Sequence, residues 1–184
     1  MMGMSGVLVT LDAGVLPLED AALGLSRIPR FAGQTIFPWT VLDHLLAGML
    51  WARRNGASEE LELHFGLHDY HEAMTSDVPT TFKTKDLRSI QRKLDTRLYR
   101  SLDLHLPEPD DAVWVHALDG DMLLAEARVC CPSKTYRRIV EERGGREASH
   151  AHIVTVQAVL AEGYGVDDWL DRITYLITRV REGL

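Results

Sequence analysis

The chain has 184 residues, 46% of them hydrophobic and 26% charged, with a formal net charge of −7. That length suits one domain with its own core, and that composition excludes a disordered polymer. Twenty Lys+Arg stand against 27 Asp+Glu, which argues against a nucleic-acid polymer as partner, because gripping a phosphate backbone takes concentrated positive charge.

The two cysteines, Cys130 and Cys131, are adjacent. No disulfide framework is expected, and a reducing cytoplasm is the simplest compartment. No basic stretch followed by an apolar one opens the sequence, and no apolar run reaches about 18 residues. Neither a signal peptide nor a membrane span is expected.

Residues 1–16 are apolar, and Val7, Val9 and Leu11 alternate, a pattern for a short strand or an extended arm. From Pro17 the pattern is helical, with Leu18, Ala21, Ala22 and Leu25 on one face and an end near Pro29. Thr40 and Asp43 predict a capping box and a helix to about Asn55, closed by Gly56. Ser58 predicts the cap of a helix through about Met74, ended by Thr75-Ser76-Asp77 and Pro79. Thr84 opens another, with Leu87, Ile90, Leu94, Leu98 and Leu102 spaced three or four apart. Pro107 and Pro109 break the chain. Helices follow near 111–129, 134–143, 147–162 and 166–181, where Val154, Val159, Leu170, Ile173 and Ile177 read as core or oligomer contacts. Strand signals are too few for a sheet, so the sequence predicts one all-α domain over 1–184.

Chemistry concentrates in Gly66-Leu67-His68-Asp69-Tyr70-His71-Glu72-Ala73. On a continuous helix Glu72 lies about 40° and Asp69 about 100° from His68, so one imidazole and two carboxylates share a quadrant. Alone this is a weak signal, because His and Asp are common on wet helix faces. His64, four residues before His68, has metal-binding spacing, but a surface or partly buried histidine is the commoner outcome. His44 lies in the apolar Val41-Leu42-Asp43-His44-Leu45-Leu46-Ala47, where a lone histidine is usually a satisfied core residue. Asp119 sits in Val115-His116-Ala117-Leu118-Asp119-Gly120-Asp121, and a buried carboxylate is costly unless paired or coordinated. His44, His68, Asp69 and Asp119 on packed helices would form a mixed site for a divalent ion such as Mn, Co, Zn or Mg. Asp121 is the alternative to Asp119.

The order of these residues resembles the HD-domain metal-dependent phosphohydrolases, in their nucleotidase-like branch. Ser26-Arg27-Ile28-Pro29-Arg30-Phe31-Ala32-Gly33-Gln34 resembles the branch's "SRIxRFxGxT" segment. His68-Asp69-Tyr70-His71-Glu72, with Asp77-Val78-Pro79 and Lys83, resembles "HDxxEx…DxPxxxK". Asp119 with Leu123 to Arg128 resembles "ADxxxLxxEAR". The likeness covers about 17–130 and leaves 131–184 as additional C-terminal helices. Leu45, Leu118 and Thr75-Ser76 stand where the pattern often has Ser, Ala and Gly, which changes pocket shape but removes no ligand. The resemblance implies an HD-domain helical bundle with the metal held by His44, His68, Asp69 and Asp119. It implies Glu72 as the catalytic carboxylate. It also implies Arg30 and Lys83 on phosphate, Phe31 on sugar or base and Asp77 on a 3'-hydroxyl. The substrate it implies is a deoxynucleotide, with a dATP-type triphosphohydrolase first and a 5'-deoxyribonucleotidase next. A homo-oligomer is expected, in the cytoplasm, or in the host's if the chain is phage-encoded. A catalytically silent metal-binding or interaction module is the alternative from another class.

Overall fold

The computed structural model describes residues 14–183. The strand or arm predicted over 1–16 falls almost wholly outside them, and residues 14–16 run without regular structure. Among the described residues, all helices and turns pack without a sheet. The one β-type pairing is an isolated antiparallel bridge between Pro29 and Thr40.

Helix α1 spans Leu18–Leu25, α2 Val41–Arg54, α3 Glu59–Leu67 and α4 Glu72–Thr75. After them come α5 Lys85–Ser101, α6 Pro109–Cys130, α7 Ser133–Glu142, α8 His150–Glu162 and α9 Val166–Glu182. α2 is the central rod. Its start is fixed as the sequence predicts: the Thr40 hydroxyl accepts from the Asp43 N–H, and the Asp43 carboxylate accepts from the Thr40 N–H at 2.8 Å. This satisfies two N–H groups that have no partner within the helix. α2 then buries ten of its residues, from Val41 to Ala52, because α1, α3, α6, α8 and α9 all pack on it. Apolar residues on every side of a helix require such enclosure.

α3 lies between α2 and α9. Arg172 of α9 donates through Nε at 2.8 Å and through Nη2 to the carboxylate of the buried Glu62. The Trp169 indole N–H donates to the Gly66 carbonyl at 3.3 Å. Val159, Ile173 and Ile177 belong to the core, whereas Val154 is exposed. Pro109, read from sequence as a breaker, is the first residue of α6. A proline is tolerated there because that position's N–H has no partner within the helix.

The helix predicted from Ser58 to Met74 is corrected by the structure. Ser58 caps it, its hydroxyl accepting from Leu61 N, but α3 stops at Leu67 and α4 begins only at Glu72. Between them His68, Tyr70, Glu72 and Ala73 donate to carbonyls three residues back, at 2.9–3.4 Å. The ring N–H of His68 competes for the same Phe65 carbonyl at 2.7 Å, which favours this tighter winding. In such a turn residues three apart eclipse, so Glu72 stacks with Asp69 and not with His68.

Candidate metal centre

Three elements deliver the donors. His44 sits one turn into α2, His68 and Asp69 lie in the tight turn after α3, and Asp119 lies midway along α6. His44 Nε2 is 3.4 Å from His68 Nε2, 3.8 Å from Asp69 Oδ2 and 3.4 Å from Asp119 Oδ1. His68 Nε2 is 3.2 Å from Asp69 Oδ2 and 4.0 Å from Asp119 Oδ1. Atoms coordinated at about 2.1 Å stand about 3.0–3.4 Å apart on adjacent positions and about 4.2 Å apart across the ion. The spacings among His44, His68 and Asp119 lie between those limits, and Asp69 meets the two histidines at 3.8 and 3.2 Å.

The protons decide what can sit between them. His44 Nδ1 donates to Glu126 Oε1 at 2.6 Å, and His68 Nδ1 donates to the Phe65 carbonyl. With each ring's N–H committed outward, both Nε2 atoms present lone pairs. Two imidazole nitrogens and two carboxylate oxygens then face one another as acceptors, an arrangement that a cation or an added proton satisfies. Outward anchoring of this kind also supports metal-bound histidines generally. The residues therefore fit a divalent ion, and the groups of His44, His68 and Asp119 lie close enough to share one.

A proton competes for the same place. Burial pulls His68 down, but Asp69 and Asp119 beside it push it up to about 9. Burial likewise raises Asp69, yet His68, His44 and Arg30 hold it well below the usual carboxylate range.

Glu126, which lies in the Leu123–Arg128 motif but has no role assigned by its pattern, is a site residue. It is fully buried. One oxygen accepts from His44; the other accepts from Arg30 Nε at 3.3 Å and Nη2 at 3.1 Å. Its signal was a lone carboxylate in the apolar run Leu123-Leu124-Ala125-Glu126-Ala127, where an unpaired charge would be costly. Arg30, expected on phosphate, is thereby engaged by Glu126, and its Nη1 lies 3.8 Å from Asp69. The Pro29–Thr40 bridge places it: Arg30 N donates to the Trp39 carbonyl and Val41 N to the Ile28 carbonyl.

The remaining expected residues gather on one side of the centre. Glu72 is buried, and Lys83 Nζ donates to its Oε1 at 3.3 Å. Burial first, then Asp69 and Asp77, pushes the Glu72 carboxyl up to about 8 against the pull of Lys83 and Arg30. Asp77 is raised by burial, with Arg30, Asp69 and Lys83 within electrostatic reach. Phe31 is half-buried under the Arg30 guanidinium, 5.9 Å from its ring centroid. Phe31 and Ala32 have φ of 54° and 52°, and Ser76, beside Asp77, has 64°. Non-glycine residues hold such angles only when surrounding structure imposes them, and they cluster at functional sites.

Two other histidines have partners of their own, although His71 also lies within reach of Asp69 and Glu72. His64 is buried against the Tyr99 hydroxyl at 3.0 Å and takes no part in the centre. His71 Nδ1 pairs with Asp95 at 2.9 Å; its Nε2 and Glu72 Oε2 are buried without a hydrogen-bond partner. Asp121 is ion-paired with Arg146, which leaves Asp119 as the carboxylate at the centre.

No helix among the described residues is long and apolar enough to cross a membrane. No protein-family model matches the chain, and no curated protein matches it.

Proposed function

We propose that the chain is a metal-dependent phosphohydrolase of the HD-domain type, acting on deoxynucleoside phosphates. One observation carries the reading: two imidazoles and two carboxylates from three elements converge through lone pairs, with both histidine N–H groups anchored outward. His44, His68, Asp69 and Asp119 would hold the divalent ion. When bound, it supplies Lewis-acid polarisation of a phosphoryl oxygen and makes hydroxide available near neutral pH.

The chain's own residues supply the rest. Burial brings the Glu72 carboxyl up to about 8, so near neutral pH its ionised fraction takes a proton and its protonated form returns one; acid–base catalysis works best with such a value near the operating pH. Lys83, at the Glu72 carboxylate, neutralises charge building on the phosphoryl oxygens. Arg30 acts through Glu126 and Asp69, holding one second-layer carboxylate and one ligand carboxylate ionised. Asp77 takes the 3'-hydroxyl of a sugar and crowds a 2'-hydroxyl, which favours deoxynucleotides.

Triphosphate hydrolysis of dATP is the first reading of the substrate. A 5'-monophosphate is the second, and one observation favours it: engagement of Arg30 by Glu126 reduces the positive charge free to meet a longer anionic tail. Steady-state rates with dATP, ATP, dGTP and dAMP, each with Mn, Co, Mg and Zn, test the reading, with phosphate, pyrophosphate and triphosphate resolved. Metal-dependent release from a deoxynucleotide, lost in Asp69→Ala, is expected. Equal kcat/KM for ATP and dATP would end the sugar argument. Absence of release from every ester with every metal would overturn the hydrolase reading in favour of a silent metal-binding module.

A further inference from the structure

The candidate ligands differ in exposure, and the difference has a direction. The His44 side chain is fully buried, Asp69 is 12% exposed, His68 17% and Asp119 34%. The two most exposed, His68 and Asp119, both line a single cleft of about 420 Å³ between α3, α5 and α6. Larger hollows of about 700 and 810 Å³ elsewhere touch none of the four. The centre therefore opens toward this cleft, whose volume is in the range of small-molecule sites.

Its walls state what fits. Leu67, Val115, Leu106 and Pro107 make them largely apolar, while Asp95, Thr96 and His116 add hydrogen-bonding groups. Asp95 is fixed from behind by His71 Nδ1 at 2.9 Å. Arg92 also lines the cleft, but with Asp95 and Asp119 there it does not make a pocket for a polyanion. A flat ring system with polar edges satisfies both kinds of wall. Lys83, a cation at the Glu72 carboxylate, stands near the centre but outside the lining of the cleft. Phe31, the aromatic surface on the other candidate path for a ring, already lies under the Arg30 guanidinium.

We propose that this cleft is the subsite for the nucleobase of the substrate, and that Asp95 selects bases carrying an exocyclic amino donor. The proposal rests on the phosphohydrolase reading for its link to chemistry, but not for its test. The phosphorylated end points to the Lys83 side and the ring passes His68 and Asp119 into the cleft. Its recognition is mainly burial of the ring faces, with orientation set by the polar edge groups.

The test uses the full chain loaded with Mn, and two variants that fill the cleft: Ala112→Trp at its exposed rim and Val115→Phe in its wall. Binding of deoxyadenosine and thymidine, which carry no phosphate, is followed by titration calorimetry. KM is compared for dAMP or dATP and for a small ester, glycerol phosphate. Expected are deoxyadenosine binding tighter than thymidine binding and loss of both in either correctly folded variant. The nucleotide KM should rise about tenfold or more, with the small ester unchanged. Unaltered nucleoside binding in both variants overturns the proposal. So does a nucleotide KM that Phe31→Ala raises and Ala112→Trp does not, which places the base at Phe31. If the parent hydrolyses no ester, the hydrolase reading fails while the nucleoside titration still decides the subsite. Equal binding of deoxyadenosine and thymidine removes the role given to Asp95.

Discussion

Glu126 orients the centre from behind His44 and supplies none of the four donors. Its carboxylate is fully buried and joins His44 to Arg30. Replacing it with glutamine keeps the shape, but leaves the guanidinium without its main counter-charge and weakens the grip on the His44 N–H. Glu126→Gln is expected to weaken divalent-metal affinity by roughly 10- to 100-fold, the usual cost of losing such an outer partner. Competition against a chelator measures this, and unchanged affinity would show that His44 is held by packing alone. Glu72 gives a pH signature. Its native carboxyl keeps its proton to about pH 8, whereas its ordinary value is 4.5. The folded state therefore binds more protons between these values. The group's contribution to stability is complete below the ordinary value and is lost as pH rises through about 8. Glu72→Gln cannot ionise. On metal-free protein it should match the parent near pH 4.5 and exceed it near pH 9 by several kcal/mol, up to about 5, in denaturant titrations at each pH. The same change should lower turnover by roughly 10²- to 10⁴-fold while metal stays bound.

Helix packing reaches the site through Phe65. Its ring centroid lies 5.4 Å from that of His44 and 4.7 Å from that of His68, and its carbonyl anchors His68. Gly48 of α2 leaves room for it: a Cβ there would stand 1.9 Å from Phe65 Cε1 and 2.2 Å from Cζ. Gly48→Ala must displace the ring, which packs on both histidines. A loss of about 1–3 kcal/mol is expected, read as a Tm lower by about 2–4 °C for each kcal/mol in a chain of this size. Weaker metal binding should accompany it, and a Tm within error of the parent would show that the ring has another place to go. The α3–α9 joint is a second such element. Arg172→Ala leaves Glu62 buried without its fork and is expected to cost about 3–5 kcal/mol. The double change Glu62→Leu with Arg172→Met should recover most of it in thermal melts, because no unpaired charge is then buried.

At the scale of the molecule, the four donors come from positions 44, 68, 69 and 119, on three segments that unfolding separates. An ion bound by all four binds the folded chain selectively and so adds stability by mass action. At 100 times its Kd that is about 2.7 kcal/mol. The Tm should rise with Mn or Zn and stay flat in Asp69→Ala, which removes a ligand charge. A rise of equal size in the variant would place the bound ion elsewhere.

The sequence by itself determined the local features: the Thr40–Asp43 box, the Ser58 and Thr84 caps, and the helical periodicity of an all-α chain. These depend on neighbours within one turn, so their residues suffice to read them. It also marked His44 and Asp119 as polar groups in apolar runs, whereas His68 and Asp69 are a weak signal alone and join them through the resemblance of the ordered motifs. Only the tertiary structure decided how they meet. The winding at 68–71 is tightened by the bond from His68 to the Phe65 carbonyl, which helical periodicity does not encode; it moves Glu72 onto the face of Asp69. The commitment of Arg30 to Glu126 spans 96 positions. The opening of the centre toward α5 and α6 depends on which ligands their packing leaves uncovered. Such facts arise because folding brings distant charges into one low-dielectric space, where each must find a counter-charge, and the partner chosen there is set by the whole packing.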